Sequence, residues 1–126
     1  MLVGRAENFF FGRPDLPDTL ERLQAYADVG ADVLYAPGIK TREQIVAVVE
    51  AVAPRPVNVL IGSATEFTLR DLADLGVRRV SVGGALARTA WAGFLETARA
   101  IAEQGRFDFA KATPGSELNA FFRKFE

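Results

Sequence analysis

One pattern occurs twice in this chain and limits what it can fold into more than any other feature. Ala27-Asp28-Val29-Gly30-Ala31-Asp32-Val33-Leu34-Tyr35 is matched by Ala73-Asp74-Leu75-Gly76-Val77-Arg78-Arg79-Val80-Ser81. Each copy reads as a helix end, a glycine turn and a short strand. Strand starts recur roughly every 22 to 30 residues, the length of one strand–helix unit in a parallel sheet. Consecutive parallel strands need a crossover, and a helix is the usual one.

The flanking residues fill in the other units. Leu2 to Ala6 reads as a first strand, followed by a loop with three phenylalanines, Phe9, Phe10 and Phe11. One or two of these are expected to fold back over the core. The alternative is an apolar patch that wants a partner. Leu20, Leu23 and Ala27 give a helical period from about Pro17 to Val29, with Asp15 or Asp18 as the cap and Gly30 beyond its end. Residues 32–38 form a second strand stopped by Pro37-Gly38. Thr41-Arg42-Glu43-Gln44 has the form of a capping box and opens a second helix that ends at Pro54.

A third strand follows over 56–62. Thr68 caps a short helix closed by Gly76, and residues 79–84 form a fourth strand. A long helix over 85–104 carries Leu86, Ala90, Phe94, Ala98 and Ile101 on one side, and Trp91 on it reads as core or interface. A last amphipathic helix spans 114–125, using Leu118, Phe121 and Phe122. No linker breaks the series, so residues 1–126 are expected to be one domain.

Composition narrows the chemistry. The chain is 49% apolar and 25% charged with net charge −1, so no excess of either sign points to nucleic acid or an anionic membrane. No apolar run approaches the ~18 residues of a membrane span, and no amino-terminal signal is evident; the expected location is cytoplasmic. With no cysteine and no histidine, thiolate nucleophiles, disulfides, imidazole bases and sulfur-ligated metals are excluded within this chain. Carboxylates, Lys, Arg, Tyr, Ser and backbone groups remain, and a hard cation such as Mg²⁺ remains possible.

Side-chain alternation separates an open sheet from part of a barrel. One parity of the strands is apolar: Leu2, Gly4, Ala6, Leu34, Ala36, Val57, Val59, Ile61, Val80 and Val82. The other carries Val3, Arg5, Glu7, Tyr35, Pro37, Asn58, Leu60, Gly62, Ser81 and Gly83. A doubly wound sheet, such as a flavodoxin-like binding domain, needs two apolar faces. A polar second face suits a barrel interior that opens into a site at the strand ends. The expected fold is therefore α/β, a (βα)4 half of a TIM (β/α)8 barrel with an extra C-terminal helix.

With the strands so placed, Gly4-Arg5-Ala6-Glu7, residues 30–38 and Pro56-Val57-Asn58-Val59-Leu60 resemble strands five to seven of the isocitrate lyase / phosphoenolpyruvate mutase superfamily. Residues 80–88 and Phe107-Asp108-Phe109 resemble that family's eighth unit and the approach to its final helix. The resemblance runs along nearly the whole chain but covers only the second half of a family member. It implies a Mg²⁺-dependent barrel that makes or breaks C–C or P–C bonds in small 2-oxo acids through a metal-stabilised enolate.

Carried over by position, Arg5 matches the arginine that binds a substrate carboxylate, and Glu7 matches an acidic neighbour that orients it. Asn58 matches an asparagine of strand seven, as an inward polar residue bonded to Arg5 or water. Counted from the opening proline, that position falls near Leu60 on the same face. Ser81 and Gly83 end the fourth strand where N–H groups can hold an anion. Pro37 stands where the lyases carry a glutamate.

The family's metal-binding aspartates and catalytic loop belong to its first four units. No catalytic or metal-ligating residue is therefore assigned here, and the chain alone is expected to be inactive. The alternative is a non-catalytic, oligomerising or oxo-acid-binding half-barrel. The expected partners are a small 2-oxo acid or carboxylate, and a second copy of the chain or a separate N-terminal half, since both edge strands lack neighbours.

Overall fold

The computed structural model describes residues 1–125 and pairs its strands side by side in sequence order. β1 (Val3–Arg5), β2 (Val33–Tyr35), β3 (Val57–Leu60) and β4 (Arg79–Ser81) form one sheet, β1-β2-β3-β4, with every pair parallel. The helices α1 (Leu16–Asp28), α2 (Arg42–Val52) and α3 (Leu69–Asp74) are the crossovers. This is the α/β arrangement expected from the repeat. The strands are shorter than expected: β1 is three residues rather than Leu2 to Ala6, and β4 stops at Ser81.

Local chemistry sets the helix boundaries. The Asp15 carboxylate accepts from the Asp18 N–H at 3.0 Å, so Asp15 is the cap of α1. At α2 the capping box closes in both directions. The Gln44 N–H donates to Thr41 Oγ1 at 3.3 Å, and the Gln44 side chain accepts from the Thr41 N–H at 3.1 Å. Thr68 and Asp71 repeat the device at α3. Gly30 leaves α1 at φ +99°, a conformation that costs glycine nothing and most residues a good deal. Gly4 serves a different purpose. A Cβ there would lie 2.8 Å from Tyr26 Cβ, so its absence lets α1 close onto β1.

The apolar parity of the strands forms the core. Leu34, Val57 and Val59 are fully buried with Leu23 of α1, Ile45 and Val48 of α2 and Leu72 of α3. Of the three phenylalanines, Phe9 packs on this core, while Phe10 and Phe11 remain exposed and meet edge to face, 5.7 Å apart.

The chain divides into two compact units, Met1–Ala85 and Leu86–Glu126, where the sequence reading has one domain over 1–126. The second holds α4 (Ala85–Gln104), α5 (Gly115–Phe122) and a 3-10 turn, Arg123–Phe125. Neither α4 nor α5 has a buried residue. Trp91 and Phe94 form an edge-to-face pair 5.2 Å apart, yet each is 59% exposed, so of the reading of Trp91 as core or interface the structure rules out the core. An amphipathic period records that a face should be covered, not by what. Among the described residues, no helix is long and apolar enough to cross a membrane.

Truncating Leu34 to Ala should cost about 2–5 kcal/mol, read from the urea midpoint, because its site is enclosed on all sides. Phe11→Ala should stay within about 0.5 kcal/mol. The protein should also weaken in acid. Asp18 is held below the ordinary carboxylate range by its bond from Arg22, and Asp71 by its bonds from Thr68. Both bind their protons more weakly folded than unfolded. Their contribution is therefore complete above the ordinary carboxylate range and is lost as the pH falls through it. A urea midpoint that did not move between pH 7 and pH 3 would contradict this.

Candidate functional site

The candidate site follows from the register of the first three strands. Arg5 pairs with Tyr35, and Tyr35 pairs with Asn58, so the three side chains stand in one row across the sheet. They occupy the face opposite Gly4, Leu34, Val57 and Val59, because successive residues on a strand alternate sides. Leu60 pairs with Ser81, which brings those two onto the same face one step further along.

At one end of the row is a charged pair. Arg5 donates through Nε to the Glu7 carboxylate, and its guanidinium carbon lies 4.7 Å from the centroid of the Tyr35 ring. Glu7, chiefly through that hydrogen bond, holds the Arg5 guanidinium above even its ordinary high pKa. The cation is permanent. Both partners are partly exposed, so the pair adds only about 0–1 kcal/mol to stability. With Nε committed to Glu7, the Nη fork is the pair of donors that a carboxylate would use. Tyr35, only 8% exposed, supplies a flat and electron-rich floor beneath the cation.

At the other end is a neutral pair, a buried Asn58 and a half-buried Ser81. Asn58 is 2% exposed, and its Nδ2 donates to Ser81 Oγ at 3.0 Å. Its Oδ1 is buried with no hydrogen-bond partner. The sequence reading bonds Asn58 to Arg5 or water; in the structure its partner is Ser81. The physical reason is spacing. Arg5 and Asn58 sit two strands apart, about 4.8 Å per step, with the Tyr35 ring between them.

Gly83 follows β4 at φ +52°. A Cβ there would meet Leu60 Cδ1 at 3.5 Å, an ordinary contact, so its backbone conformation and not crowding is what calls for glycine. In the same turn the Ala85 N–H is already committed to the Val82 carbonyl at 3.0 Å.

The five residues singled out in the sequence thus resolve into two bonded pairs, Arg5–Glu7 and Asn58–Ser81, and one turn glycine. Tyr35 was placed on the polar parity but not among the site residues, and the structure sets its ring beneath Arg5. The signal was its parity: once Arg5 is on the polar face, its cross-strand partner must be there too. Among the described residues, no group of three or more Asp or Glu could hold a metal ion, so the residues present do not fit a Mg²⁺ site, which needs several oxygens converging on one point.

A parallel sheet with one helix-covered face and one polar face carrying an arginine is the arrangement of a barrel-type enzyme. The chain belongs to the phosphoenolpyruvate phosphomutase family, whose model matches residues 1–102. The structure superimposes with a TM-score of 0.89 on a lyase/mutase candidate from Burkholderia cenocepacia J2315, at 51% identity over 97% of this chain and 44% of that one. It matches oxaloacetate acetylhydrolase, solved with the inhibitor 3,3-difluorooxalacetate, at 26% identity and a TM-score of 0.73, over 92% of this chain and 38% of that one. An uncharacterised protein of Mycobacterium tuberculosis (strain ATCC 25618 / H37Rv) is 29% identical over 89% of this chain and 42% of its own length. The solved relatives are TIM-barrel-type lyases and mutases, and this chain spans less than half of each protein it matches.

The unpaired Oδ1 makes a test of the buried pair. Replacing Asn58 and Ser81 together by Leu and Ala removes both polar partners and should change stability by no more than about 1 kcal/mol. Asn58→Asp places a carboxylate in the same enclosure and should cost about 2 kcal/mol or more at pH 7. Urea midpoints for the two variants check both, and equal losses would contradict the assignment.

Proposed function

We propose that this chain contributes the carboxylate-binding side of a lyase- or mutase-type active site that works on C–C or P–C bonds of small 2-oxo acids. Arg5 holds the carboxylate through its Nη fork. Glu7 is a positioning residue that fixes the guanidinium through Nε, and Tyr35 limits the cation's movement from below. Asn58 and Ser81 brace the polar face, with Gly83 shaping the turn beyond. Mg²⁺ would supply the charge that stabilises an enolate. The described residues offer no set of ligands for it, and on this reading the chain alone does not turn over. The observation that carries the reading is the permanently charged Arg5, fixed by Glu7 and Tyr35 on the polar face, in a chain of the phosphoenolpyruvate phosphomutase family.

Calorimetric titration of the chain with oxalate or pyruvate, with and without Mg²⁺, tests it. Binding is expected without the metal and should weaken at least about tenfold in Arg5→Ala, the loss of one charged hydrogen-bonded contact. The fold should survive that substitution, since the Arg5–Glu7 pair is exposed. Absence of binding in the unaltered chain would overturn the proposal in favour of a non-catalytic structural module.

A further inference from the structure

Tyr35 is built into the polar face differently from the core residues around it. It lies in mid-sheet on β2, paired with Arg5 on one side and Asn58 on the other, so its place owes nothing to either edge. The residue is 8% exposed, yet it is not a member of the apolar cluster that packs under the helices. Its ring lies against the Arg5 guanidinium, with 4.7 Å between the cation's central carbon and the ring centroid. A buried tyrosine usually gives its hydroxyl a hydrogen-bond partner. Here no described residue bonds to Oη. Nor is Oη sealed in, since among the described residues the enclosed side-chain atom without a partner is Asn58 Oδ1. The ring is therefore held while its polar tip opens onto the face that carries Arg5.

We propose that the Tyr35 hydroxyl is a second contact for the ligand at Arg5, donating a hydrogen bond to the 2-oxo oxygen and so selecting 2-oxo acids over plain carboxylates. The inference rests on the reading of Arg5 as the carboxylate holder and adds the group that recognises the neighbouring carbonyl. The two side chains divide the work by their chemistry. A guanidinium fork matches the two oxygens of a carboxylate and reads little of the carbon beside it. A carbonyl oxygen on that carbon is an acceptor and needs a single donor, which a phenol hydroxyl supplies. One C–C bond separates the two groups in a 2-oxo acid, so a carboxylate on the Nη fork brings its oxo oxygen to the side of the ring. Of the side chains in contact with Arg5, Glu7 is an ionised acceptor and has no proton to offer an oxo oxygen. Tyr35 is the contact that has one. Because its ring is already immobilised, the hydroxyl is recruited at little cost in side-chain freedom.

The test compares pyruvate with propanoate, which has two hydrogens in place of the oxo oxygen, by calorimetric titration of the unaltered chain and of Tyr35→Phe. That substitution keeps a ring under Arg5 and removes only the hydroxyl. The ratio of pyruvate to propanoate affinity is expected to fall about three- to tenfold, the loss of one hydrogen bond. A second readout needs no substitution, because Tyr26 and Tyr35 are the two tyrosines of the chain. With tyrosine carbon-labelled at Cζ, the Tyr35 signal of the unaltered chain should shift with pyruvate and far less with propanoate. An unchanged ratio in Tyr35→Phe, or equal losses for both acids, would overturn the proposal, since the hydroxyl would then face water alone or act through Arg5. The carboxylate reading survives that result if Arg5→Ala still weakens both acids. If neither acid binds the unaltered chain, both readings fall together. A Cζ signal that ignores both acids, or answers both alike, also overturns the proposal, and it decides the matter if Tyr35→Phe fails to fold.

Discussion

Everything about the candidate site depends on a register set by backbone hydrogen bonds. Because Arg5 lies across from Tyr35 and Tyr35 across from Asn58, the arginine, the ring and the amide share one face, and the core residues share the other. A slip of one residue between β1 and β2 would either turn Arg5 into the helix-packed layer or turn Leu34 out of it. The burial of Leu34, Val57 and Val59 thus protects the site. The apolar side chains that drive folding also hold the register that keeps the cation on the open face.

The two ends of that face are built on different physical terms. Arg5 and Glu7 are partly exposed and contribute little to stability, and their bond through Nε leaves the Nη fork open to an incoming anion. Asn58 is enclosed and is held through its Nδ2 by the half-buried Ser81. The second unit poses a different problem. It has no cysteine and no buried residue on either helix, and Trp91, Phe94, Phe121 and Phe122 are all exposed. Units this short usually need a staple, a metal or a protein surface to be stable.

Much of this was legible in the residues because short-range rules act alone. Thr41 with Gln44, Thr68 before α3 and Gly30 after α1 each mark a boundary through a local hydrogen bond or a special φ, and the structure keeps all of them. The polar parity of the strands was equally plain and identified the face that carries Arg5. What was not legible needed the pairing partner. Tyr35 could be placed on the polar parity, but only the register sets it beneath Arg5. Asn58 donates to Ser81 and not to Arg5, because two strands and a ring separate it from Arg5, which sequence spacing does not reveal. The apolar side of α4 was legible as a pattern, but no pattern says what covers it.

The central claim is that a carboxylate binds at Arg5, on the polar face and at the ends of β1 and β2. Amide chemical-shift mapping during an oxalate titration tests it most directly, because it reports where the anion sits as well as whether it binds. The account predicts shifts concentrated at Arg5, Ala6 and Glu7 and at Tyr35 and Ala36, with α2 and the second unit unmoved. Shifts centred instead on α4 or α5, or spread evenly over the surface lysines and arginines, would contradict it.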